Sequence, residues 1–176
     1  MEFTPFPKLA RWSREIIITE KLDGTNASIY IDDDGTFLTG SRTRWITPED
    51  DNYGFSRWAY ANKDELMKLG PGHHFGEWWG QGIQCGYGLK EKRFSLFNTH
   101  RWNSSNTPEC VSVVPLLYVG PNTEEAIRLS LASLAQVGSL AALGFMQPEG
   151  IVIYHTASKT SFKKTIKKDE SPKGIQ

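Results

Sequence analysis

Lys21 follows the β-branched run Glu15-Ile16-Ile17-Ile18-Thr19-Glu20 and precedes Asp23-Gly24, so one ammonium stands where a buried strand opens into a glycine turn. A Lys-x-Asp-Gly alone is ordinary turn chemistry. Here other chemically capable groups recur at strand ends: Arg42 in Ser41-Arg42-Thr43, Glu77 in Phe75-Gly76-Glu77-Trp78, Phe97 in Phe94-Ser95-Leu96-Phe97, Glu149 in Pro148-Glu149-Gly150-Ile151-Val152, and Lys163 with Lys164. Carboxylates flanked by Phe75, Trp78, Ile151 and Val152 are costly to bury unless paired, and that cost favours a functional role over decoration. One site at the mouth of a sheet could collect the whole set.

Weaker signals surround these residues. His73-His74 has the composition of a metal pair, but adjacent strand residues point to opposite faces, so the two rings cannot share an ion. The glycine-rich stretch 80–88 lacks the strand-to-helix arrangement of a phosphate fingerprint and reads as a flexible lid leading to Lys90, Lys92 and Arg93. Cys85 and Cys110 have neither paired spacing nor a secretory context, so both are expected as free thiols.

The elements that must position the candidates follow from periodicity. Strands are expected over 15–20, 27–31 and 36–39, opening the chain as three antiparallel neighbours, with Asp32-Asp33-Asp34-Gly35 as a hairpin loop. Residues 49–69 carry a roughly helical period that stops at Gly70-Pro71-Gly72. Strands over 73–79 and 94–98, then one over 111–119, precede a helix capped by Asn122 or Thr123 and running to about 134–136. The pair 150–155 and 161–167 ends the ordered part. The class is therefore α+β, with antiparallel sheets flanked by helices in a single domain. The domain is expected over 1–168, with 169–176 as a C-terminal tail.

Composition bounds the rest. The 176 residues suit one compact domain, and 20 Lys plus Arg against 20 Asp plus Glu give zero net charge, so a polyanion site must be a local patch. No run approaches the roughly 18 apolar residues of a membrane span, and Met1-Glu2-Phe3-Thr4-Pro5 is not the start of a signal peptide, which points to the cytoplasm.

Taken in order, the motifs resemble those of the nucleotidyltransferase domain of ATP-dependent RNA ligases, close to the RNA ligase 2-like branch and its small phage relatives. Thr19-Glu20-Lys21-Leu22-Asp23-Gly24-Thr25-Asn26 is similar to the first ligase motif, and the likeness runs from about residue 15 to 168. The resemblance implies a covalent nucleotidyltransferase fold and a three-step RNA repair reaction. A lysine attacks the α-phosphorus of ATP and forms lysyl-AMP, AMP passes to an RNA 5′-phosphate, and a 3′-hydroxyl displaces it. Lys21 is the implied nucleophile. A lysine has a reference pKa of about 10.4, so such an amine needs desolvation or neighbouring cations to react at neutral pH. Lys163 or Lys164 and a bound Mg²⁺ (or Mn²⁺) are the implied cations.

The same resemblance assigns the nucleotide contacts. Arg42 corresponds to the arginine at the sugar and phosphate end, Glu77 to the acid on the ribose hydroxyls, and Phe97 to the aromatic stacked on the purine. Glu149 corresponds to the acid that holds the metal or steers the lysine. Glu20 is implied as an acceptor for the adenine amino group, Asn26 as a phosphate-orienting group, and Leu22 as a further nucleotide neighbour. Lys90, Lys92, Arg93 and Arg101 form the expected RNA-binding border.

Larger ligases of this superfamily carry a further C-terminal domain that 176 residues leave no room for, so the expectation centres on self-adenylylation and treats sealing as the harder step. Motif V has Lys163-Lys164 and Lys167-Lys168 in pairs, of which strand alternation lets one member face the site; Lys163 is favoured. A capping-type guanylyltransferase, a DNA ligase adenylation domain and a non-catalytic RNA-binding module are the rival readings. Glu20 with Gly-Thr-Asn leans away from the first two, and zero net charge with a full set of candidate residues leans away from the third.

Overall fold

The computed structural model describes residues 1–167, 169 and 170. In chain order these form β1 (Glu15–Lys21), β2 (Thr25–Ile31), β3 (Phe37–Gly40), β4 (Trp45–Ile46), α1 (Phe55–Ala61), α2 (Lys63–Leu66), β5 (Gly72–Gly80), β6 (Lys92–Leu96), β7 (Val111–Val113), β8 (Leu116–Pro121), α3 (Glu124–Val137), β9 (Gly150–His155) and β10 (Thr160–Thr165). The α+β class and its antiparallel sheets follow, apart from one parallel pair, β6 with β7. Lys168 and most of the expected tail, 171–176, lie outside the described residues.

The chain gathers into two compact units. The first takes residues 1–21, 116–140 and the chain from 146 on. Its four-stranded sheet has the order β10-β9-β1-β8. Ile16 and Ile18 of β1 and Ile151 and Ile153 of β9 lie on one face and pack with Leu134 of α3, while alternate residues take the opposite face. Thr123 caps α3 by accepting from the Ala126 amide, and Glu124 and Glu125 fill the first turn, where an acid complements the helix dipole.

The second unit takes residues 22–115 and 141–145. Its six-stranded sheet has the order β4-β3-β2-β5-β6-β7. Ala27, Ile29, Ile31, Phe37, Ile46, Trp78, Phe94 and Leu96 share one face with Phe55 and Ala59 of α1 and Leu66 of α2, forming the larger core. A smaller cluster joins Leu22, Trp79, Tyr87, Val114 and Ala142.

Several sequence expectations change here. β1 pairs with β8 and β9, whereas β2 pairs with β3 and β5, so the opening three strands do not form one meander. The Lys21 to Gly24 turn is a passage from one sheet to the other, because Leu22 is drawn into a core and Gly24 lies against β5, where an added Cβ would be 2.4 Å from the Trp78 carbonyl. The single strand expected over 111–119 divides at Val114-Pro115 into β7 and β8, which belong to different sheets. Residues 49–69 yield only α1, α2 and a 3₁₀ turn, Met67–Leu69, after an irregular lead-in where Asp51 accepts from the amides of Ser56 and Arg57. The 80–88 loop is packed rather than open: Ile83 and Tyr87 are buried, and backbone bonds tie Gln81 to Glu91 and Ile83 to Gly80. Cys85 and Cys110 are free thiols, as expected. Among the described residues, no helix is long and apolar enough to cross a membrane.

The two histidines of the His73-His74 pair do take opposite faces. His74 is 4% exposed and its Nε2 lies 2.8 Å from the Gly70 carbonyl, which fits a neutral ring donating that proton. Burial pushes its pKa below the ordinary 6.5, Arg101 and His73 push the same way, and the Gly70 bond opposes them.

Two outcomes follow. Gly76 has the Ser95 carbonyl and the Phe94 ring 2.4 to 2.8 Å from where a Cβ would stand, so Gly76→Ala should destabilise by about 1–3 kcal/mol in a denaturant titration. The depressed His74 pKa means the unfolded chain binds more protons just below pH 6.5, so stability should fall as pH is lowered through that value. His74→Gln should flatten this dependence in urea titrations between pH 7 and pH 5, with the contribution of His73, whose pKa burial also lowers, remaining.

Candidate active site

In the first unit the β1–β9 register sets Lys21 opposite Gly150, beside Glu149. The Lys21 Nζ donates to Glu149 Oε2 at 2.6 Å, and the two side chains are only 19% and 12% exposed. Sequestering an ion pair to this degree gains little stability, since desolvation offsets much of the attraction, so its presence points to chemistry rather than to folding. Gly150 makes the approach possible. Its φ is +154°, and a Cβ there would lie 2.2 Å from the Lys164 carbonyl on β10.

Cross-strand partners share a face, which separates the two motif V lysines. Lys163 lies opposite Val152, which lies opposite Thr19, so Lys163 is on the face of Thr19 and Lys21. Lys164 lies opposite Ile151 on the other face, and its Nζ is 3.3 Å from an Asp169 carboxylate oxygen. Backbone and side-chain bonds from Thr165, with that ion pair, hold the Asp169 pKa below the usual carboxylate range.

Glu20 takes a different place from the one expected. Alternation turns it to the face of Ile18 and Ile151, away from that of Lys21, where it is 1% exposed. Its Oε1 accepts from Ser139 Oγ at 2.5 Å and its Oε2 from the Leu140 amide at 2.8 Å. That carboxylate is held on its face by the segment after α3. Neither Ser139 nor Leu140 carries a sequence signal for this bond.

The second unit holds another carboxylate cluster. Asn26 of β2 lies opposite Glu77 of β5, and Asn26 Nδ2 donates to Glu77 Oε2 at 3.1 Å while the Gly24 amide donates to Oε1 at 3.1 Å. The Asp23 amide donates to the Tyr87 hydroxyl at 2.7 Å, a contact that no spacing rule would have found. Leu22, expected among the nucleotide neighbours, is 3% exposed and packs in the core with Trp79 and Tyr87. Phe97 follows β6 on the side of the sheet that carries Glu77, bonded through its amide to the Phe75 carbonyl, and is 40% exposed. Arg42 is exposed in the turn between β3 and β4.

The expected RNA border is largely engaged within its own unit. Lys92 donates to the Tyr53 carbonyl at 2.6 Å, Arg93 pairs with Glu91 and lies over the Trp79 ring, and Arg101 donates to the Leu69 carbonyl and lies over Trp102. Lys90 is exposed. Among the described residues, no group of three or more His, Cys, Asp or Glu side chains could hold a metal ion unaided.

The sequence model of a family described as RNA ligase matches residues 14–168. No curated protein sequence matches the chain. Among solved structures, it is similar to a variant RNA ligase from Naegleria gruberi with ATP and Mn, at 23% identity and a TM-score of 0.63, over 88% of this chain and 50% of that one. A second variant of that ligase with ATP and Mn gives 22% identity and a TM-score of 0.62 over 87% and 50%, and one with AMP and Mn gives 22% and 0.61 over 88% and 50%. These likenesses bear on the fold. The chain spans about half the length of the solved proteins it matches.

Removing the Glu20 carboxylate takes away the acceptor of the buried Ser139 hydroxyl and of the Leu140 amide. Glu20→Ala should therefore lower stability by about 1–3 kcal/mol in a denaturant titration, and Ser139→Ala by less, because it leaves the Leu140 amide bond in place.

Proposed function

The chain belongs to the RNA ligase family, and from that premise we propose that it forms a covalent lysyl-AMP from ATP, transfers AMP to an RNA 5′-phosphate and joins that end to a 3′-hydroxyl. The observation that carries the proposal is the ion pair of Lys21 with Glu149, an amine at the end of β1 held 2.6 Å from a carboxylate. In the first step the Lys21 Nζ gives its electron pair to the α-phosphorus. The bond from that phosphorus to the bridging oxygen breaks, and pyrophosphate leaves with the electrons.

An ammonium has no free pair, so it must shed a proton first. The Glu149 carboxylate is within hydrogen-bonding reach to accept it and to aim the amine. Lys163, on the Lys21 face, is the cation we assign to the charge that develops on the α-phosphate, a choice supported by the register, in which Lys164 takes the other face. The assignments of Glu77 to the ribose hydroxyls, Asn26 and Arg42 to the phosphate end and Phe97 to the purine rest on the family resemblance. Their support is that Asn26 and Glu77 are held together, and that Phe97 is exposed on the same side of the sheet.

A divalent metal fits this donor chemistry. Mg²⁺ is commonly held by one or two carboxylates together with substrate phosphates and water, and Glu149 can supply such a carboxylate. Bound there, Mg²⁺ or Mn²⁺ would neutralise charge on the phosphates of ATP. The adenylation unit is taken as 1–168, and a cytoplasmic location belongs to the same reading.

Incubation with α-labelled ATP or GTP, followed by denaturing electrophoresis, tests the first step. Label from ATP alone is expected; label from GTP would indicate a capping enzyme, and no label a binding module. Lys21→Ala should fold and lose the adduct completely, and wild-type labelling in that variant would remove Lys21 as nucleophile. Glu149→Ala should slow adduct formation by at least about tenfold, equivalent to roughly 1.4 kcal/mol of transition-state stabilisation.

A further inference from the structure

One face of the six-stranded sheet covers the larger core. The other carries, along β5, Glu77, Phe75 and His73 at every second position, with Asn26, Ser28 and Tyr30 opposite them on β2. Trp45 of β4 joins the same face, since it pairs with Gly40, which pairs with Ser28. The rings touch in series. His73 lies 4.0 Å from Phe75 and 5.5 Å from Trp45 between ring centroids, the latter pair stacked at 26°, and Tyr30 meets the edge of His73 at 5.9 Å.

The series is open at both ends, with Phe75 55% and Trp45 51% exposed. Large rings gathered on a sheet face and left this open are unusual on a monomer without a partner. The glycine at position 40 makes room for this arrangement: a Cβ there would meet the Trp45 ring at 3.3 Å and Ser28 Oγ at 2.6 Å.

We propose that Phe75, His73, Tyr30 and Trp45 form a platform on which bases of single-stranded RNA stack, continuing from the Glu77–Asn26 cluster along the same face. The proposal rests on the reading of the chain as an RNA ligase and names where its strand is held. Three observations select a nucleic acid strand as the occupant. Sheet-borne aromatics with open π-faces are the means by which several RNA-binding modules hold unpaired bases. The row is continuous with residues assigned to a nucleotide, ending at Glu77 and flanked by Phe97 beside Phe75. The turn that delivers Trp45 also carries Arg42 and Arg44, exposed cations of the sign a phosphate backbone requires, although Arg44 is paired with Asp50.

Asp32, Asp33 and Asp34 follow β2 just past Tyr30, and their charge would turn a strand away there. The platform therefore suits only a few bases, with the strand leaving past Trp45 and Arg42. Burial lowers the His73 pKa, which keeps that ring uncharged at neutral pH.

The test measures binding of a fluorescein-labelled, 5′-phosphorylated RNA oligonucleotide by anisotropy, beside an abasic oligonucleotide of equal length and charge. The proteins are the unaltered full chain, Trp45→Ala, Phe75→Ala and Trp45→Phe. Wild type should bind the abasic strand about tenfold more weakly than RNA, each alanine variant should lose about tenfold on RNA, and Trp45→Phe should stay within about threefold of wild type. Labelling from ATP should remain within about twofold of wild type in Trp45→Ala.

Equal affinity of wild type for both strands would overturn the platform, and this comparison needs no variant to fold. Unchanged RNA affinity in folded alanine variants would overturn it too. So would a dimer in sedimentation that Trp45→Ala dissolves, which would make this face a contact between copies. Loss of ATP labelling in wild type with base-dependent binding intact would sink the ligase reading and leave the platform standing.

Discussion

The close packing of three strands at Gly150 is the constraint on which the Lys21 centre depends. Gly150 pairs with Lys21 on one side and with Thr165 on the other, at a φ of +154° and with the Lys164 carbonyl where a side chain would be. No L side chain fits that position without moving β10. Because it is glycine, β1, β9 and β10 stay in register to the end of the sheet, and the residue before it, Glu149, is carried alongside the residue opposite it, Lys21. The Ile166 amide, donating to the Glu149 carbonyl at 3.0 Å, holds the backbone of that acid from the β10 side.

Strand alternation then divides the labour between faces. On β1, Ile16, Ile18 and Glu20 point one way and Thr19 and Lys21 the other, so the side that packs against α3 anchors the side that carries the amine. Glu20 extends this division into polar chemistry. A carboxylate at 1% exposure must be fully served by donors or it costs several kcal/mol, and Ser139 with the Leu140 amide supply that service. Glu77 solves the same problem in the other unit with the Gly24 amide and Asn26. At Glu77 the donors lie in the 19–26 motif, so satisfying the acid also fixes the backbone of that motif.

How much of this was legible in the sequence depends on the range of the interaction. The β-branched run 15–20, the glycine turn after Lys21, the cap at Thr123 and the paired strands at the end of the chain are local signals, and each element formed close to its expected place. The partner of β1 was not local. Period-two alternation identifies a strand but not its neighbour, so an apparent meander became two sheets, and Pro115 interrupting 111–119 was the one visible hint that a strand would be shared between them. Of the candidate residues, Lys21 and Glu149 meet, and Asn26 and Glu77 meet. Leu22 and Glu20 turned out to be held by core packing and by a distant loop, neither of which spacing encodes.

The basic residues show why charge type alone misleads. Lys92, Arg93 and Arg101 looked like a phosphate-binding border, yet each has a carbonyl, a carboxylate or an indole of its own unit within reach. A cation already paired must give up that partner before it serves a ligand, so its contribution to binding is the difference between the two contacts rather than the whole of the second. The open rings of Trp45 and Phe75 carry no such debt. Each is about half exposed, and covering that surface with a base gains apolar burial and stacking together. In a chain with zero net charge, that difference shifts the expected grip on a polyanion from its phosphates toward its bases.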